Sequence, residues 1–276
     1  MRKKSRINYL NMGRFFQIIL ILGISLSHLA CGDNMLESLE ETNNVNDAAI
    51  ALDNGNTSKA ISLCYDELGA TYKSIVTRYS SGTETDAAVT QANLESQLDT
   101  LKSSGKIKNP YNIASILASA YAQKAGVDMI DVALNLASTD LQSENSITTL
   151  GTAINANPTQ SVLDDMDLAL IILRGIGSSN YRAAESYKDA IFQMAQVALF
   201  TSSLPDLDNL TEDDALSILS FLESALSSSI TTSEDESSEA QASLDAINEA
   251  YTSIGISSGD SDAVKTQKVQ DFLNGN

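Results

Sequence analysis

The chain has 276 residues, 43 % of them hydrophobic, and a formal net charge of −19. That apolar share is enough to bury a core, which excludes a chain disordered throughout. Arg2, Lys3, Lys4, Arg6 and Arg14 all precede the first acid, Asp33, so beyond the leader 12 basic side chains (17 − 5) face 36 acidic ones, a net −24. A polyanion of this kind is repelled by nucleic acid and by anionic headgroups, so no nucleic-acid partner is expected.

The three prolines, Pro110, Pro158 and Pro205, each stand just ahead of an apolar-periodic segment, where a helix start tolerates them. No long apolar/polar alternation of β-branched residues occurs, and the fold class expected is all-α.

Met1–Arg14 is a basic stretch and Phe15–Ser27 an apolar one. The apolar run is short of the roughly 20 residues that cross a bilayer and has the order of a secretory signal over residues 1–30. Leu29-Ala30-Cys31 resembles the lipobox of bacterial lipoproteins. His28 and Leu29 depart from the family pattern of Leu three before and a small residue two before the cysteine; Ala30 and Cys31 fit it. The resemblance implies acylation of Cys31, anchorage to the lipid bilayer, and, with Gly32 rather than Asp next, sorting to the outer membrane on its periplasmic face. Cleavage after Ser27, and an uncleaved anchor, are the rival readings. Residues 31–46 read as a polar tether and 47–276 as one helical domain, with a sub-boundary near 201–210.

The only histidine, His28, lies in the leader, and tryptophan is absent. Beyond the leader, histidine-dependent triads and the usual zinc sets are excluded, and no cofactor or metal is expected. With Cys31 acylated, Cys64 has no intrachain partner and reads as a small buried residue.

In chain order, Asp47–Asp53 ends a helix, Asn54-Gly55-Asn56 turns, and Thr57 or Ser58 caps a helix reaching Tyr79. Tyr65, Tyr72 and Tyr79 recur every seven residues along it, and Gly69 invites a kink. Thr85 or Asp86 caps a helix to Lys102, ended by Gly105, with Ala87, Leu94, Leu98 and Leu101 inward. Pro110–Leu136 reads as two short helices joined at Gly126. Its first helix has a small face (Ala114, Ala118, Ala122) beside a bulky one (Ile113, Leu117, Tyr121), suited to close packing on one neighbour and volume burial on another.

A short helix is expected around Ile147–Ile154. The Ser161–Arg174 helix, apolar all round at Leu168–Leu173, should be buried on several sides. Asn180 caps an amphipath over Tyr181–Phe200 with Ala184, Tyr187, Ile191, Met194 and Ala198 inward. Thr211–Asp214 opens a helix with acids in its first turn and Leu219, Leu222 and Leu226 inward. Glu239–Ile254 (Leu244, Ile247, Tyr251) and Ala263–Leu273 (Val264, Val269, Phe272) complete about ten helices in adjacent antiparallel pairs.

Gly55 through Ala60-Ile61, followed by Cys64 and Leu68, with Ala48 before them, resembles a tetratricopeptide repeat. Ala118, Tyr121, Gly126 and Ala133 make a looser second match. The resemblance implies a bundle or short solenoid of antiparallel helical hairpins whose groove binds extended peptides. It makes Tyr65, Tyr72, Tyr79 and Tyr121 candidate ligand contacts; the plainer reading is half-buried core tyrosines with polar tips. The layout is also similar to lipoproteins associated with TRAP-type transporters, where an anionic solute would go to the small basic patch of Arg174, Arg182 and Lys188.

Asp206–Asp214 fails as an EF-hand, with Leu210, Thr211 and Ser217 where ligands five, Gly six and Glu twelve belong. Asp164, Asp165 and Asp167 read as the acidic first turn of a helix rather than a paired-carboxylate site. The expected function is a non-enzymatic, membrane-anchored adaptor for an envelope protein or peptide; the alternative is a solute-binding transporter component.

Overall fold

The computed structural model describes residues 43–138, 146–155, 157–205, 207, 210–230 and 238–274. The expected leader and Cys31, within residues 1–42, and Asp206 and Asp208 of the acidic run therefore lie outside the described residues. Eleven α-helices and one 3-10 turn make up the regular structure of the described residues, so the fold is all-α. They are α1 Asn43–Asp53, α2 Thr57–Ser80, α3 Ala87–Ser103, α4 Pro110–Lys124, α5 Met129–Ser138 and α6 Ser146–Ile154. After them come α7 Gln160–Arg174, α8 Ala183–Ser203, α9 Glu212–Ile230, α10 Ser238–Ile254 and α11 Asp262–Asn274.

Local chemistry sets the helix ends. Asn56, not Thr57 or Ser58, caps α2, its side chain accepting from the Lys59 amide. Asp86 caps α3 through Val89, and Asn109 caps α4 ahead of Pro110, whose missing N–H costs nothing at a helix start. Thr211 accepts from the Asp214 amide where Glu212, Asp213 and Asp214 oppose the positive end of α9. α1 begins inside the expected tether, because Val45 and Ala48 reach the core. α8 starts after Arg182 rather than Asn180, which ends the 3-10 turn Ser178–Asn180.

Two expected inward positions fall elsewhere. Val264 and Ala184 are exposed, and Leu273 rather than Val264 joins Val269 in the core. The side chain of Leu244 lies outside the described residues. Asp164, Asp165 and Asp167 lie beyond the first turn of α7, which holds no acid, so the helix dipole does not account for them.

Pairing follows the chain at its start and departs from it in the middle. α1 packs on α2 across the Gly55 turn, and Ala51, Ala60 and Ala120 let α1, α2 and α4 approach closely. The expected hairpin at Pro110–Leu136 is not a packed pair. α4 lies against α2 and α7, whereas α5 lies against α10 and α8. Gly126 turns the chain with φ +91° but sends α5 across to other partners. The physical reason is that both faces of α4 are already covered: Ala114, Ala118 and Ala122 are sealed, as are Ile113 and Leu117.

One core runs from Val45 to Leu273. α7 and α8 form its axis. Met166 and every residue from Leu168 to Leu173 are buried, as expected for a helix walled on several sides. α8 is not the amphipath its pattern suggested, for Glu185, Asp189, Gln193 and Thr201 are buried along with its apolar residues. It touches α9, α6, α7 and α5.

Candidate functional site

The four tyrosines occupy three settings rather than one surface. Gly69, with φ +82° and ψ 171°, breaks α2 between Tyr65 and Tyr72, so their seven-residue spacing does not leave them on one helical stripe. Tyr72 is wholly buried and its hydroxyl has no hydrogen-bond partner among the described residues. As a ligand contact it is corrected: no solute reaches a side chain sealed in the core. Tyr79 donates from its hydroxyl to Asp167 at 2.8 Å, tying α2 to α7. Burial raises the Asp167 carboxyl and the Asp164 charge adds to this, while the Tyr79 hydrogen bond opposes.

Tyr65 and Tyr121 meet across α2 and α4, their hydroxyls 3.1 Å apart. Lys73 lies over the Tyr65 ring, 5.5 Å from its centroid, and Lys124 over the Tyr121 ring at 5.7 Å. Lys124 also donates to Asp165 at 2.7 Å. Burial first, then the neighbouring Tyr121, pushes the Tyr65 hydroxyl far above the ordinary tyrosine range, so it remains a neutral donor.

The basic patch is neutralised within the fold. Arg174 donates from Nε to Asp189 at 3.1 Å, linking the end of α7 to α8. Arg182 grips Glu185 through Nε and a terminal nitrogen at 3.0 and 2.6 Å, and Glu185 also accepts from the Arg182 amide. Burial raises the Glu185 carboxyl, but the Arg182 contacts outweigh it and hold it below the usual carboxylate range. In both pairs the carboxylate is buried and the arginine partly open to solvent, so removing the arginine strands a buried charge. These arginines are thereby committed to structure.

Lys188 donates to Ser115 of α4 at 2.8 Å. Burial holds its ammonium below the ordinary lysine range, Glu185 opposing and Arg182 adding. A serine bonded to a lysine of lowered pKa has the spacing of a nucleophile and its base. Ser115 is only 1 % exposed, however, so no substrate carbonyl reaches its Oγ. The shallow concavity along α3, with Glu95, Ser96, Asp99 and Thr100 in its wall, is the outer face of one helix. Among the described residues no three His, Cys, Asp or Glu side chains are placed to hold a metal ion, and no helix is long and apolar enough to cross a membrane.

No family model matches the chain, and neither does a curated protein or a solved structure. The lipobox and tetratricopeptide resemblances thus rest on the residues quoted for them. The sequence did not single out Lys73, and it offered Asp165 only as a first-turn acid or a member of a carboxylate pair, not as a partner of Lys124. Nothing in helical spacing relates Lys73 to Tyr65, because the break at Gly69 intervenes, and Asp165 joins Lys124 only through tertiary packing.

Proposed function

We propose that the chain is a lipid-anchored, non-enzymatic adaptor of the cell envelope whose helical domain binds a partner protein or peptide. The observation that carries this reading is the order of its parts. A basic and then apolar stretch runs to Cys31, and a helical domain with one extended core begins twelve residues later, at Asn43. Acylation of Cys31 would hold that domain at a bilayer its own charge repels, and more than one acyl chain makes such anchorage firm. The sealing of Ser115 and the lack of histidine beyond the leader support a binding role over catalysis.

The solute-carrier reading draws less support, since the arginines it relied on are paired with Asp189 and Glu185. Detergent-phase partitioning of the full chain, labelled with a palmitate analogue in cells, tests the anchor. The wild type is expected in the detergent phase carrying label, and Cys31→Ala in the aqueous phase without it. Equal partitioning of the two would sink the anchor, and with it the envelope adaptor.

A further inference from the structure

The Tyr65–Tyr121 hydroxyl pair leaves a donor unspent. Each phenol has one proton, and at 3.1 Å one hydroxyl donates to the other. The second hydroxyl's proton is then available to an outside acceptor, and neither tyrosine has another acceptor among the described residues. Tyr65 is buried, at 8 % exposed, and Tyr121 is half-buried, so a hydrogen bond given from the pair is stronger than one in bulk water.

The charges around this proton point to the acceptor. Lys124 is offset by Asp165, its partner at 2.7 Å. Lys73 is an ammonium with no carboxylate at ion-pair distance among the described residues, beside the ring of Tyr65 in a chain that is otherwise strongly acidic. A phenol proton beside one uncompensated ammonium suits a monoanion with two oxygens, one for each donor.

We propose that Tyr65, Tyr121 and Lys73 form a carboxylate-recognition site, which the adaptor reading above would use for a carboxylate of its peptide partner. Lys124 acts in it as a positioning residue: bonded to Asp165 and stacked over Tyr121, it holds the ring between α4 and α7. The two lysines and two rings come from α2 and α4, which pack directly on one another, so the donors are pre-set by the core.

The test uses the full chain in detergent, with ring signals of Tyr65 and Tyr121 read by NMR. Acetyl-Gly-Gly-Ala bearing a free carboxylate is titrated beside its C-terminal amide, sodium acetate and inorganic phosphate. The free acid is expected to shift both rings saturably and to bind at least about ten-fold tighter than the amide, as loss of charge-assisted hydrogen bonds requires. Lys73→Gln and Tyr121→Phe, which leave the core filled, should each weaken it by a similar factor, with unchanged circular dichroism. Acetate matching the peptide would support the site while removing its peptide as the partner, and so separates this inference from the adaptor reading. Phosphate binding as tightly as the acid, no saturable shift with any probe, or undiminished binding by Lys73→Gln would overturn the proposal.

Discussion

Gly151 of α6 lies so close to α8 that a Cβ there would fall inside the van der Waals envelope of the Ala198 carbonyl oxygen, with Ser202 Oγ equally near. Backbone cannot give way as a side-chain end can. Gly151→Ala is therefore expected to destabilise the fold by about 1–3 kcal/mol, the usual cost of overpacking. Gly259→Ala, where a Cβ meets nothing within 4 Å, should change stability by no more than about 0.5 kcal/mol. Urea denaturation of the two variants makes the comparison, and equal midpoints would show that α6 and α8 are not in this contact.

Gly69 tests the break in α2 by sign. Helix propensity alone predicts that Gly69→Ala stabilises by about 1 kcal/mol. At φ +82° and ψ 171° the residue instead occupies backbone space that is nearly glycine's own. The expected result is a loss of about 1 kcal/mol or more. A gain in thermal midpoint would mean that α2 runs straight through.

Tyr72 and Tyr79 should respond oppositely to loss of the hydroxyl. The buried Tyr72 hydroxyl has no partner among the described residues, so Tyr72→Phe removes an unmet polar group and should be neutral or stabilising by about 1 kcal/mol. Tyr79→Phe strips Asp167 of its donor and should cost about 1.5–3 kcal/mol. Chemical denaturation at pH 7 reads both, and a Tyr72→Phe loss as large as that of Tyr79→Phe would contradict the arrangement.

Lys188 makes stability depend on pH in a definite direction. Its folded-state pKa is depressed, chiefly by burial. Between that value and the ordinary lysine value of 10.5, the unfolded chain binds more protons than the folded one. The contribution of this group therefore rises with pH through that window. Lys188→Met should flatten the rise, so that the variant's advantage over the wild type is larger at pH 7 than at pH 10. A variant whose advantage grows with pH would reverse the sign.

Cys64 counts thiols. It is 1 % exposed, and burial, with the nearby Glu67 charge, pushes its thiol up to about 12. It should react with a disulfide reagent at pH 8 only as fast as the fold opens. The native full chain is then expected to show no fast-reacting thiol if Cys31 is acylated through sulfur. One fast thiol, abolished in Cys31→Ala, would show Cys31 to be free.

Much of the helix order was legible because capping and apolar period are local. Asp86, Pro110 and the acids at 212–214 marked starts that the structure keeps. The α8 face was not legible. Glu185 and Asp189 look like a solvated stripe in sequence, and their pairing with Arg182 and Arg174, which local spacing does not reveal for Asp189, helps them to be buried. The tyrosine site was half legible: residue type suggested Tyr65 and Tyr121, whereas Tyr72 sits at the same spacing and is sealed.

The sequence by itself determined the helical class, the charge, the absence of histidine beyond His28, and most helix boundaries. Each of these depends on residues within a few positions of one another. Only the tertiary structure decided that α4 and α5 part company after Gly126, and that Tyr65 meets Tyr121 fifty-six residues away. Those outcomes depend on which surfaces best exclude water together, a property of the whole packed chain that no local pattern carries.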